Sequence, residues 1–172
     1  MFEKSNNLEI FFDEPNRSFG IREYSRMMKI SSSTAKTYLE NLEKEGLLKS
    51  KREHNLVLFK ANDLNEEFIS LKIENNLRKI KRTGIIEYLL RYNPSSIILF
   101  GSTSKGTDNK DSDLDIAMII PTQKEINLEE FEKKLKKKIQ LFTFTKNNFS
   151  KQKELANNIL NGRILYGFIE VY

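Results

Sequence analysis

Residues 97–120 read IILFGSTSKGTDNKDSDLDIAMII, and this stretch decides the fold of the second half of the chain. Ile97–Phe100 is a short apolar run of the kind a buried strand shows, and it leads straight into Gly101-Ser102. A polar ten-residue segment follows, after which Asp113-Leu114-Asp115 heads a second apolar strand, Leu114–Ile120. Strand alternation puts Asp113 and Asp115 on one face and Leu114 on the other. Two carboxylates held side by side repel unless a cation lies between them. A hard divalent ion such as Mg2+ suits that oxygen pair and bridges to triphosphate oxygens. Gly101 lets backbone come close to a phosphate, and the Ser102 hydroxyl can hydrogen-bond it. Ser104 and Lys105, next along, complete the candidate phosphate-binding set. The competing interpretation is a plain loop, because Gly, Ser and Asp are also turn residues. The order strand, Gly-Ser, loop, Asp-x-Asp, strand separates the two. A P-loop is excluded: Gly101 and Gly106 have the right separation, but Thr107 stands where the phosphate-binding Lys is required.

The run LFGS, the ten-residue gap and DLD together resemble the Gly-Ser…Asp-x-Asp signature of the minimal nucleotidyltransferases of the DNA polymerase β superfamily. The resemblance covers about residues 83–172. It implies a mixed sheet flanked by helices, with Asp113 and Asp115 binding Mg2+ (or Mn2+) and Gly101, Ser102, Ser104 and Lys105 holding the phosphates of an NTP. Members transfer a nucleoside monophosphate to a hydroxyl acceptor, and some are antitoxins that modify a partner toxin. A protein or nucleic-acid acceptor, or a toxin-like partner, is therefore implied. The family usually carries a third carboxylate on the strand after the intervening helix. Here that run is Lys138-Ile139-Gln140-Leu141, so Gln140 occupies the third catalytic position. An amide cannot act as base for an acceptor hydroxyl, nor supply the missing charge. Glu170 on the last strand is the alternative carboxylate. Nucleotide and metal binding is expected ahead of turnover, with active transfer and a non-catalytic scaffold as the competing readings.

The first third has a different pattern. Leu8, Phe11 and Phe12 give an apolar stripe closed by Asp13-Glu14-Pro15, and Ile21, Tyr24, Met27 and Met28 fall at helical spacing. Ser31-Ser32-Ser33 supplies N-caps for a helix with Ala35, Tyr38, Leu39 and Leu42 inward and Gly46 at its end. Ser32, Ser33, Lys36, Thr37 and Asn41 then face outward, the chemistry a recognition helix presents to base edges and phosphates. Two short strands, Leu47–Lys51 and Asn55–Lys60, flank Arg52-Glu53-His54. Lys49, Lys51, Arg52 and Lys60 gather on this hairpin, where a wing meets phosphate. His54 reads as a solvated turn residue. ISSSTAKTYLENLEKEGLLKS with its basic hairpin looks like the winged helix–turn–helix of bacterial and archaeal transcription regulators, which implies binding to double-stranded DNA. A structural or protein-binding winged helix is the alternative.

Leu64 to about Tyr92 is helical in period, with Gly84 as a break and Asn93-Pro94 as a stop. Its apolar residues lie on more than one face, which suits burial against both domains or a second copy, so a homodimer is expected. Leu128, Phe131 and Leu135 define a further helix, Ile139–Thr145 a strand, Ser150–Leu160 a helix and Arg163–Val171 a closing strand. Phe142, Phe144, Phe149, Tyr166 and Phe168 are expected to pack the sheet, and Lys133, Lys134 and Lys136–Lys138 to form a solvated helix end. The fold class expected is α+β: a winged helix–turn–helix over 1–62, a helical connector over 63–92 and a nucleotidyltransferase-like domain over 93–172.

Composition sets the outer limits. The 172 residues carry 29 Lys+Arg against 24 Asp+Glu, a net charge of +5 that is spread as +2, +1 and +2 over those three segments. With no Cys and a single His, disulfides, Cys-ligated zinc and multi-His sites are excluded, so metal chemistry falls to carboxylates. No apolar run approaches the ~20 residues of a membrane span, and MFEKSNNLEIFF lacks a signal-peptide pattern, so a cytoplasmic protein without a membrane partner is expected.

Overall fold

The computed structural model describes residues 2–145, 148, 149 and 153–169. The chain divides into two compact units, Met1–Lys72 and Ile73–Tyr172, with the division inside one helix.

The first unit runs α1 (Phe2–Asp13), β1 (Phe19–Gly20), α2 (Ile21–Met28), α3 (Ser32–Lys44), β2 (Leu48–Glu53) and β3 (Leu56–Ala61), then enters α4 (Glu66–Arg82). Leu8, Phe11 and Phe12 are buried as their spacing requires, and the Phe11 ring meets Phe19 edge-on at 5.2 Å. Tyr24 is buried beside them and its hydroxyl donates to the Asn7 carbonyl at 2.9 Å. Met27 departs from expectation and is exposed. Tyr24 and Met28, four residues apart, take the inward stripe and leave Met27 at its edge. On α3, Ala35, Leu39 and Leu42 are buried, while Tyr38 is only half-buried at the margin of the same stripe.

β2 and β3 pair antiparallel from Leu48↔Ala61 to Glu53↔Leu56, so the hairpin is closed by His54 and Asn55 alone. Arg52 and Glu53 are therefore strand residues rather than turn residues. His54, at φ +53°, supplies the positive dihedral that a two-residue hairpin demands. The two-residue strand β1 pairs with β3 and gives the order β1-β3-β2. Nothing in its length or composition had marked it as a strand.

The second unit continues α4 and adds α5 (Ile85–Leu89), a 3-10 turn (Leu90–Tyr92), β4 (Ser96–Phe100), α6 (Gly101–Lys105), β5 (Leu114–Ile119), α7 (Glu129–Leu135), β6 (Ile139–Phe144), α8 (Lys153–Leu160) and β7 (Arg163–Gly167). Gly84, at φ +77°, separates α4 from α5. The sheet order is β6-β5-β4-β7, with β5 and β6 parallel through the crossover helix α7 and the other pairs antiparallel. Ile97, Leu99, Ile116 and Met118 face one side, packed with Ile85, Leu89 and Phe131. Ile98, Phe100, Ala117 and Phe144 face the other, packed with Phe149, Ala156 and Ile159. Helices thus flank a mixed sheet on both faces. Tyr166 and Phe168 do not pack the sheet as expected. Tyr166, on the edge strand β7, is 44% exposed, and Phe168, beyond the end of that strand, is 64% exposed.

Candidate functional site

Three strand ends converge at the head of the sheet. Phe100 on β4 is in register with Asp115 on β5, and Asp115 with Gln140 on β6. Residues in register share a face, so Asp115, Gln140 and, by alternation, Asp113 project from the same side. The floor of that side includes the Phe100 and Phe142 rings, edge-on at 5.4 Å. Beneath the carboxylate runs Gly101. Its φ is +69°, and a Cβ there would lie 2.0 Å from Asp115 Oδ2. Glycine is required both by the left-handed backbone and by the close approach.

Asp113 and Asp115 are each partly exposed, and neither forms an ion pair with a described basic side chain. Burial, and then the charge of Asp113, raise the pKa of Asp115 above the ordinary carboxylate value. Gln140 is where the sequence places it, and its Nε2 donates to Asp113 Oδ2 at 2.6 Å. Among the described residues no cluster of three or more His, Cys, Asp or Glu could hold a metal. Glu170, the alternative third carboxylate, lies outside the described residues.

The polar segment after Phe100 begins as a helix, which its composition did not reveal. α6 has five residues and leaves its last carbonyls without partners inside the helix. The Gly106 and Thr107 N–H groups take the Ser102 carbonyl, Asn76 Nδ2 donates to Thr103 O at 3.3 Å, and Arg163 Nε donates to Ser104 O at 2.9 Å. Ser102 is partly exposed, and Lys105 is exposed. Ser104 is not available to a phosphate. It is buried, with its hydroxyl turned back to the Gly101 carbonyl at 2.9 Å, as small polar residues in short helices readily do.

A second polar group has no signature in the sequence. Asp108 is 4% exposed and accepts from Asn76 Nδ2 at 2.9 Å and from Lys137 Nζ at 2.8 Å. Lys137 also donates to the Asn109 carbonyl at 2.8 Å. The lysine run is thus not uniformly solvated: Lys133, Lys134, Lys136 and Lys138 are exposed, but the Lys137 side chain is 17% exposed. The acid-rich run around Asp108 gave no sign that one of its members was buried.

A cleft of about 480 Å3 lies against the opposite face of β6, lined by Ile126, Leu128, Glu132, Ile139 and Leu141 among others. It includes none of Asp113, Asp115 and Gln140.

In the first unit, Ser32, Ser33, Lys36, Thr37 and Asn41 on α3 and Lys51 and Arg52 on β2 are all exposed. Lys36 pairs with Glu40 at 3.7 Å and Lys51 with Glu53 at 2.6 Å, while Thr37 Oγ1 donates to the Ser33 carbonyl.

A mixed sheet that sets a pair of carboxylates against a Gly-Ser turn, flanked by helices on both faces, defines a nucleotidyltransferase-type domain. Residues 83–168, half of the chain, match the family described as Polymerase beta, Nucleotidyltransferase, and the chain belongs to that family. Among curated proteins and solved structures, no significant match to the chain is found.

Proposed function

We propose that the chain binds a magnesium–nucleoside triphosphate at the face carrying Asp113 and Asp115, with little or no transfer of the nucleotide. We further propose that its N-terminal unit is a winged helix–turn–helix that binds duplex DNA, making the protein a DNA-binding regulator with a nucleotide-binding domain. The observation behind the expected lack of transfer is the hydrogen bond from Gln140 Nε2 to Asp113 Oδ2. An amide that donates there brings no negative charge and cannot take a proton from an attacking hydroxyl.

The donor set fits a hard divalent cation. Asp113 and Asp115 share a face, and neither has a basic partner among the described residues. Asp113 and Asp115 would hold Mg2+ (or Mn2+) there, and the ion would neutralise the pair and supply positive charge for a phosphate group. The chain's own residues hold and orient the ligand: the two carboxylates anchor it, the Ser102 hydroxyl donates to phosphate, and Lys105 adds positive charge. Gln140 holds Asp113 in place and leaves the acceptor hydroxyl without a base.

Support for DNA binding comes from the α2–turn–α3 pair, the β2–β3 hairpin, and the exposure of Ser32, Ser33, Lys36, Thr37, Asn41, Lys51 and Arg52.

Calorimetric titration with each of ATP, GTP, CTP and UTP tests the nucleotide site. Binding of at least one is expected only with Mg2+, and Asp113→Asn or Asp115→Asn should abolish it. Labelled nucleotide should remain at background with the wild-type chain and be incorporated into an acceptor by Gln140→Asp. Robust transfer by the wild-type chain, indifferent to replacement of Gln140, would refute the assignment.

A further inference from the structure

The loop between α6 and β5, residues 106–113, carries Asp113 at its end, yet it is eight residues of mostly polar chain with little to bury. Its rigidity must come from elsewhere, and one side chain in it, Asp108, is almost fully buried. Its two carboxylate oxygens are held by two different elements. Asn76 Nδ2, on α4, lies 2.9 Å from Oδ1. Lys137 Nζ, at the junction of α7 and β6, lies 2.8 Å from Oδ2.

Each partner also makes a second bond that bears on the site. Asn76 Nδ2 is 3.3 Å from the Thr103 carbonyl, and Thr103 Oγ1 in turn donates to the Asp113 carbonyl at 3.4 Å. Lys137 Nζ is 2.8 Å from the Asn109 carbonyl. The next residue, Lys138, accepts the Leu114 N–H at 2.9 Å, between the two aspartates. Two residues further along the chain is Gln140, which holds Asp113. Lys137 thus links the loop that delivers Asp113 to the strand that delivers Gln140.

We propose that Asn76, Asp108 and Lys137 form a positioning clamp that sets the geometry of Asp113 and Gln140 and thereby the affinity for a magnesium nucleotide. None of the three is a catalytic residue; they act through the loop and through Thr103. The affinity part rests on the nucleotide-binding reading, but the geometric part does not. Outer partners of this kind, which orient the ligands of a cation, commonly change its affinity by about 10–100-fold when removed.

The test uses the full-length chain with Lys137→Met, and with Asn76→Ala as a second variant. The Asn76 change leaves Asp108 paired with Lys137 and so keeps the fold if Lys137→Met does not. Backbone hydrogen exchange and the side-chain amide signal of Gln140 are read without any ligand. The clamp predicts faster exchange confined to residues 106–114 and loss of the hydrogen-bonded Gln140 signal, with α8 and the first unit unchanged. Unchanged exchange in the loop would overturn the proposal. So would protection lost evenly across the second unit, the mark of a pair that only stabilises the fold. Titration with Mg2+-ATP is the second arm, and a loss of about tenfold or more is expected in the variant whose loop has loosened. Undiminished Mg2+-ATP affinity in that variant would overturn the clamp's role in binding. Absence of binding of all four Mg2+-nucleoside triphosphates by the wild-type chain would instead count against the nucleotide reading, and the exchange data would still decide the clamp.

Discussion

α3 and α6 both stand beside a surface to which function is attributed, and they are held in opposite ways. α3 is finished by its own sequence neighbours. Ser31 Oγ accepts the Thr34 N–H at 3.0 Å at the start. At the end, Gly46 N–H bonds Glu43 O and Leu47 N–H bonds Leu42 O, with Gly46 at φ +75°. That is a side-chain N-cap and a Schellman closure, both made within six residues. α6 has no side-chain cap. Its first residue lies under Asp115, and its last carbonyls are taken by Asn76 and Arg163, 27 and 59 residues away. A locally completed helix tolerates change to its surroundings. A helix completed by distant side chains transmits such change directly to the site it borders.

The sharpest way to expose that difference is Gly101→Ala. The methyl would meet the Asp115 carboxylate, and alanine would be forced to a positive φ. A destabilisation of about 3 kcal/mol in urea unfolding is expected, together with loss of magnesium–nucleotide binding. Normal stability and binding in this variant would mean that α6 is far less constrained than its contacts imply.

On the other surface the expected change is in affinity, not stability. Lys51→Ala and Arg52→Ala remove charge from an exposed strand. Gel retardation of duplex DNA should weaken, and each loss of a phosphate contact should lower the salt dependence by about one counterion. No retardation by the wild-type chain at low salt would end the DNA-binding proposal.

Ser31→Ala probes the local cap itself. A loss of about 1 kcal/mol in thermal or chemical unfolding is expected, with nucleotide binding at the other unit untouched. A loss near zero would show that α3 does not depend on its cap.

The smallest effect concerns Asp115, whose folded-state pKa is raised. The ligand-free folded chain therefore binds this proton more tightly than the unfolded chain does. Stability rises as pH falls from above the raised value to below the ordinary value of 3.8, and the penalty is fully present only above the raised value. Asp115→Asn should then raise the Tm of the ligand-free protein slightly at pH 7 and flatten that part of its pH profile. A lowered Tm would mean that the Asp115 charge stabilises the fold.

What is legible in the sequence follows the same physical division. The strand before Gly101, the Asp-x-Asp on β5 and the Ser31–Gly46 helix were legible because alternation, turn chemistry and capping act between near neighbours. Gln140 was legible as a position, since β6 follows its helix in order. Its bond to Asp113 was not, because nothing local says which way an amide will point. Ser104 misled for the same reason: its type suits a phosphate, but the short helix turned its hydroxyl inward. Lys137 was hidden in a lysine run whose other members are solvated.

Periodicity and turn chemistry alone place a Gly-Ser pair after a buried strand, two carboxylates on one face of the next strand, Gln140 on the strand after the following helix, and a capped, polar-faced helix near the start. Those features arise from periodicity and local hydrogen bonding. The bond from the amide to Asp113, and the hold of Asp108, Lys137 and Asn76 on the intervening loop, come from the assembled sheet and helices. So does the completion of α6 by Arg163. These are contacts between residues 27 to 59 positions apart, and they exist only once the sheet has brought their elements together.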